Sequence, residues 1–164
     1  MNAILDFLVA RWGLFFLAAS TVILGIVYFF QYALDYEPCE LCYFQRYPYM
    51  LIIPISALAY LMRHKTDLTT KRAARGLLAL IILLFFLSTF IAGHQIGVEQ
   101  GLWQAFTSCG GGEVAGTLDQ LPELSVSCER TQTIFDTGIT FAEANFVVSF
   151  LLGLFGAYTM RRTR

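Results

Sequence analysis

The chain has 164 residues, 57% hydrophobic and only 14% charged, with a formal net charge of −1. Soluble domains carry about 25% charged residues, so this composition excludes an ordinary soluble globule. It reads as one small membrane domain covering residues 1–164, with no nucleic-acid partner expected.

Four uncharged runs organise the chain: 12–34 (23 residues), 47–62 (16, or 22 when counted from 41 with Arg46 inside), 76–98 (23) and 144–160 (17). A helix crossing a hydrocarbon core of about 30 Å needs roughly 20 apolar residues. The runs therefore predict an all-α membrane protein, a bundle of four transmembrane helices over about 12–34, 41–62, 76–98 and 143–160. The first run is longer than the roughly 7 to 15 apolar residues of a signal peptide and lacks a small-x-small cleavage site, so it reads as an uncleaved span. Outward loops are expected at about 35–41 and 99–142.

The small net charge hides a segregation of sign. Arg11 precedes the first span, Arg63, Lys65, Lys71, Arg72 and Arg75 fill the second loop, and Arg161, Arg162 and Arg164 form the tail. Nine of eleven cations thus lie on one side, which the positive-inside tendency makes cytoplasmic, with both termini inside. Only Arg46 and Arg130 break the pattern, and each stands near a cysteine.

After the first span, Asp35-Tyr36-Glu37-Pro38 forms an outward turn, and Pro38 disfavours a helix running through Cys39. Cys39-Glu40-Leu41-Cys42 follows, then Tyr43-Phe44-Gln45-Arg46. A helix starting near Leu41 puts Cys42 in its first turn, where unpaired N–H groups and the helix dipole favour an anion. Arg46, four residues on, falls on the same face of that helix. Together with the Cys-x-x-Cys spacing, these features favour the Cys42 thiolate, the reactive form of cysteine. Tyr43, Phe44, Tyr47 and Tyr49 read as interfacial anchors, and Pro48 and Pro54 as bends in the second span.

The loop over 63–75 is basic and carries nothing catalytic. The third span ends with His94, an intramembrane ionisable group and therefore a functional candidate; Glu99 reads as an interfacial carboxylate. The segment 99–141 holds Cys109, followed by three glycines that make a hinge, and Cys128. Leu118, Leu121, Leu124 and Val126, and then Ile134, Phe135, Ile139 and Phe141, give apolar sides suited to the membrane surface.

All four cysteines lie in outward segments, and the spacing favours Cys39 with Cys42 and Cys109 with Cys128. A Cys-x-x-Cys ring is too small to constrain the unfolded chain much, so exchange explains it better than stabilisation. A structural zinc site fits poorly, because the 18 residues between Cys109 and Cys128 are not ligand spacing.

Cys-x-Leu-Cys-x-x-Gln-Arg at 39–46, four spans, inside termini and a second cysteine pair in the longer outward loop resemble the DsbB family of disulfide bond formation proteins. The resemblance covers nearly the whole chain. It implies an enzyme of the bacterial inner membrane that reoxidises a periplasmic, thioredoxin-like dithiol oxidase (DsbA-like) and passes the electrons to a membrane quinone, ubiquinone or menaquinone. The family's redox pairs fall on Cys39 with Cys42 and Cys109 with Cys128, facing the periplasm, and its quinone-site arginine on Arg46. The stretch His94-Gln95-Ile96-Gly97-Val98-Glu99-Gln100-Gly101 also resembles a segment at the end of the third span in some members, which makes His94 a candidate for quinone contact or proton relay. The triple glycine after Cys109 and Ala142-Glu143-Ala144-Asn145, where many members carry a Trp before the Asn, depart from the pattern. Two other functions share parts of this pattern. A reductase of the vitamin K epoxide type shares four spans but carries its Cys-x-x-Cys late in the chain, and a tetraspan scaffold would use its bridges only as braces.

Overall fold

The computed structural model describes residues 11–62, 68–104, 133, 134 and 138–163. Cys109, Cys128, Arg63, Lys65 and Arg130, with most of the long outward segment, lie outside the described residues. Among the described residues the regular structure is helical: α1 (Trp12–Ala33), α2 (Glu40–Phe44), α3 (Arg46–Met62), α4 (Leu68–Glu99) and α5 (Phe141–Arg162). The single exception is an isolated antiparallel bridge between Thr133 and Thr140.

Helices α1, α4 and α5 are long and apolar enough to cross a membrane, at 22, 32 and 22 residues. The expected run 41–62 is divided. Helix α2 stops at Phe44, Gln45 forms a turn, and α3 begins at Arg46. Pro48 supplies the reason: without an N–H it gives the Phe44 carbonyl no i+4 donor, yet it costs nothing in the first turn of a new helix. Pro54 lies inside α3 and leaves the Met50 carbonyl without its helical donor. At the other end of the range, α4 exceeds the expected 76–98 and runs back through Lys71, Arg72 and Arg75. At 1.5 Å per residue it is about 48 Å long, more than a hydrocarbon core requires.

The helix ends are set by local chemistry. Helix α4 closes with a Schellman motif: Gly101 has φ +70°, Leu102 N donates to Gly97 O at 2.9 Å, and Gly101 N donates to Val98 O at 3.0 Å. Helix α5 opens with a capping box, in which Glu143 N donates to Thr140 Oγ1 at 3.1 Å and Thr140 N donates to Glu143 Oε2 at 2.9 Å. Arg161 and Arg162 sit in its last turn, where cations complement the helix dipole.

Helix α4 packs on α5 and α3, and α3 on α1. Gly13 lets α1 approach α3 closely, since a Cβ there would lie 3.1 Å from Tyr60 N. Phe16, Tyr49, Ile52, Ile81 and Phe85 form the centre of the core, with Phe16 and Phe85 rings 5.5 Å apart. Large apolar side chains such as Phe29, Leu61, Leu83, Phe90 and Leu151 are exposed around the outside. A surface of that kind is a liability in water and a normal lipid face in a bilayer.

Candidate functional site

At the end of the bundle where α1 finishes and α3 starts, Asp35 takes φ +52°, a left-handed turn that Asp tolerates, and ends α1. The chain then reaches Cys39, the N-cap of α2, whose sulfur accepts from Cys42 N at 3.3 Å. Cys39 and Cys42 are joined in a disulfide with Cα atoms 5.1 Å apart. Cys39 is buried against Leu41 and Val98, whereas Cys42 is half-buried and lines a cavity.

That cavity, about 320 Å³, lies between α1 and α5, with Ile23, Val27 and Phe30 on one wall and Phe141, Ala144 and Val148 on the other. Phe30, Tyr36 and Phe141 pack edge to face, with ring centroids 5.1 to 5.6 Å apart. Phe141 thus turns inward to the cavity, and Ile134 lines it too.

Arg46 also lines the cavity, although it opens a different helix from Cys42 and not a later turn of the same one. Only 6% of it is exposed. Its partners among the described residues are neutral. Nη1 donates to Gln31 Oε1 at 2.6 Å, and the guanidinium carbon lies 5.2 Å from the Tyr28 ring centroid and 4.7 Å from that of Tyr43. The buried Nε–H has no hydrogen-bond partner among the described residues. Burying a cation without a counter-ion costs several kcal/mol, roughly, even after relaxation. Such a site favours any negative charge that forms beside it.

A polar seam runs from the disulfide into the bundle. Gln95 Nε2 lies 3.5 Å from both Cys39 Sγ and Cys42 Sγ and donates to Glu99 Oε1 at 3.0 Å. Gln45 Nε2 donates to Gln95 Oε1. Asn145 Nδ2 donates to Gln45 Oε1 at 2.6 Å, and Tyr49 OH donates to Asn145 Oδ1 at 2.6 Å. Ser88 and Ser149 complete the inner end.

Of the residues singled out in the sequence, the structure therefore brings Cys42 and Arg46 together around one cavity, with Cys39 joined to Cys42 but buried against Leu41 and Val98. His94 sits on the neighbouring face of α4, where its carbonyl accepts from Trp103 Nε1 at 3.0 Å and the two rings are 5.9 Å apart. The cavity instead receives Gln95, the next residue. Gln31, Gln45, Tyr49, Gln95 and Asn145 escaped the sequence reading as site residues. Gln45 and Gln95 stood inside the stretches that resemble the family, and all five showed as an amide or hydroxyl inside, or at the end of, an apolar run, where a polar group needs an internal partner.

Among known families, the one described as Disulfide bond formation protein DsbB matches residues 10–159 of this chain. An uncharacterized protein of Rickettsia prowazekii, RP370, is 29% identical over 97 residues, a match that covers 59% of this chain and 52% of that protein. The aligned part thus spans about half the length of that relative. No solved structure matches the chain significantly.

Proposed function

The chain belongs to the DsbB family of disulfide bond formation proteins, and from that premise we propose that it reoxidises a periplasmic DsbA-like dithiol oxidase and delivers the electrons to a membrane quinone. Membership implies disulfide oxidoreductase activity in a multi-pass membrane protein, in keeping with three apolar helices of spanning length. The observation that carries the finer reading is that Cys42 and a buried Arg46, with no acidic partner among the described residues, line one largely apolar cavity.

The cavity fits a quinone head group. Its volume of about 320 Å³ falls at the small end of the roughly 300–1,000 Å³ typical of ligand sites, and its walls are apolar side chains of two helices that face lipid elsewhere. Arg46 would hold the ring oxygen through its Nε–H, which has no hydrogen-bond partner among the described residues, with Gln31 fixing the guanidinium and Tyr28 and Tyr43 stacking on it. A bound quinone supplies a two-electron acceptor. The chain's own part is sulfur exchange and charge stabilisation.

A thiolate of the reduced partner attacks the Cys109–Cys128 bridge at Cys109, forming a mixed disulfide and releasing Cys128. The partner's second thiol resolves that mixed disulfide and leaves oxidised, so two electrons reside on Cys109 and Cys128. These thiols then open Cys39–Cys42 by the same exchange, passing both electrons to the pair at the cavity. Cys42 is the sulfur that faces the cavity, and Arg46 favours its thiolate.

In this reading α2 and α3 together make a fourth span. The basic residues Arg11, Lys71, Arg72, Arg75, Arg161 and Arg162 stand at the helix ends away from Cys39 and Cys42, a distribution that supports reading both termini as cytoplasmic and the cysteine face as periplasmic in a bacterial inner membrane. His94 flanks the cavity, and any proton relay through it acts from outside the lining.

The test is anaerobic mixing of purified protein, ubiquinone or menaquinone, and a reduced thioredoxin-like dithiol protein, following quinone absorbance. Stoichiometric quinone reduction that disappears in Cys42→Ser is the expected result. Quinone that stays oxidised while the dithiol is consumed would remove the proposal.

A further inference from the structure

From Tyr49 to the sulfurs one chain of hydrogen bonds in the polar seam runs in a single direction, with Ser88 and Ser149 as side branches at its inner end. Tyr49 donates to Asn145, Asn145 to Gln45, Gln45 to Gln95, and Gln95 to the sulfurs and Glu99. The four donors come from α3, α5, the turn between α2 and α3, and α4. From this geometry we propose that Gln95 is a positioning residue that sets the redox poise of the Cys39–Cys42 pair, acting as the last donor of a directional relay that begins at Tyr49. The proposal rests on the pair being redox-active, as read above.

The Gln95 amide has no freedom to turn. Its Oε1 is taken by Gln45 Nε2, whose own Oε1 is taken by Asn145. One N–H goes to Glu99 Oε1, an acceptor that would repel the amide oxygen, and the other is left for the sulfurs. Gln45 and Gln95 are 7% and 3% exposed, so water does not compete effectively for these groups.

The relay acts on one redox state more than on the other. A disulfide sulfur is a weak acceptor, whereas a thiolate is an anion, and a hydrogen bond to an ionised acceptor is about twice as strong as a neutral one. Each upstream bond polarises the next in a low-dielectric interior, which sharpens the final N–H. Gln95 therefore favours the reduced pair and makes the disulfide easier to reduce by the dithiol that precedes it. Arg46 acts on the same thiolate from the cavity side. Glu99 accepts the other amide hydrogen.

The experiment equilibrates the full-length protein, in quinone-free nanodiscs at pH 7, with glutathione: protein disulfide plus two glutathione thiols gives protein dithiol plus glutathione disulfide. Alkylation and peptide mass analysis read Cys39 and Cys42 separately from the other cysteines. Gln95→Met, which keeps length and loses the donor, is expected to shift this equilibrium about tenfold toward the disulfide, equivalent to about 30 mV. Gln45→Met, which leaves the amide in place but unanchored, is expected to shift it the same way by about threefold, and it serves if Gln95→Met fails to fold by circular dichroism. A folded Gln95→Met or Gln45→Met with the wild-type equilibrium overturns the inference. The quinone assay on the wild type is scored separately. If it fails while the glutathione shift appears, the proposed quinone function falls and the role of Gln95 stands; the opposite pattern removes Gln95 alone.

Discussion

Replacement of Arg46 separates the electrostatic account of the cavity from a purely structural one. The guanidinium is 6% exposed, holds Gln31 Oε1 at 2.6 Å, and lies between the Tyr28 and Tyr43 rings. Because its described partners are neutral, Arg46→Ala leaves no opposite charge stranded; the cation–π stacking it gives up, about 0.5–2 kcal/mol per ring, is offset by relief of the cation's burial cost, so the fold is expected to survive. The effect on turnover is larger. A pre-placed donor aimed at developing charge in a water-poor site is worth about 2.7–4 kcal/mol, or about 10²–10³ in rate. Arg46→Lys keeps the charge but loses the planar fork that meets Gln31 and the tyrosine faces, so it falls between wild type and Ala, about tenfold down. The assay is stopped-flow quinone reduction under anaerobic conditions, with thiol exchange against the dithiol partner followed separately by alkylation. Quinone reduction should collapse while exchange at Cys109 continues. A folded Arg46→Ala that reduces quinone within threefold of wild type refutes the reasoning.

Gly97→Ala is expected to destabilise the end of α4, because a Cβ there overlaps the Trp103 indole; overpacking of this kind costs about 1–3 kcal/mol, and an unchanged melting temperature with an unmoved Trp103 emission would contradict it. Thr140→Ala removes one half of the capping box of α5, with an expected loss of about 1 kcal/mol, read by denaturant unfolding in detergent; a loss below a quarter of that would show the cap to be idle. Cys128→Ala should allow Cys109 to retain a thioredoxin-like dithiol protein as a mixed disulfide on a non-reducing gel, and a scaffold with inert bridges would retain none. Tyr49→Phe breaks the first bond of the relay but leaves Asn145 Oδ1 accepting from Ser149 at 3.0 Å, so the glutathione equilibrium should move less than for Gln45→Met; an equal or larger movement would place the start of the relay elsewhere.

The apolar runs, their lengths and the charge asymmetry are properties of the linear chain, because transfer of a helix into lipid is decided residue by residue over about 20 positions. Three spans were legible for that reason, and so was the membership of Cys39, Cys42 and Arg46 in one motif, since their separation is local. The break at Gln45 was half legible: Pro48 was visible as a bend, but its effect on the Phe44 carbonyl required the helix register.

Only tertiary structure decided which polar residues gather around the disulfide and Arg46. Gln31, Gln45, Gln95 and Asn145 lie on separate elements, and each looks alone in its own run. Helix rotation fixed that Gln95, and not its neighbour His94, points to the cavity. A difference of one residue turns a side chain by about 100° around a 3.6-residue helix, and that angle is set by packing of α4 against α3 and α5, which no local pattern encodes.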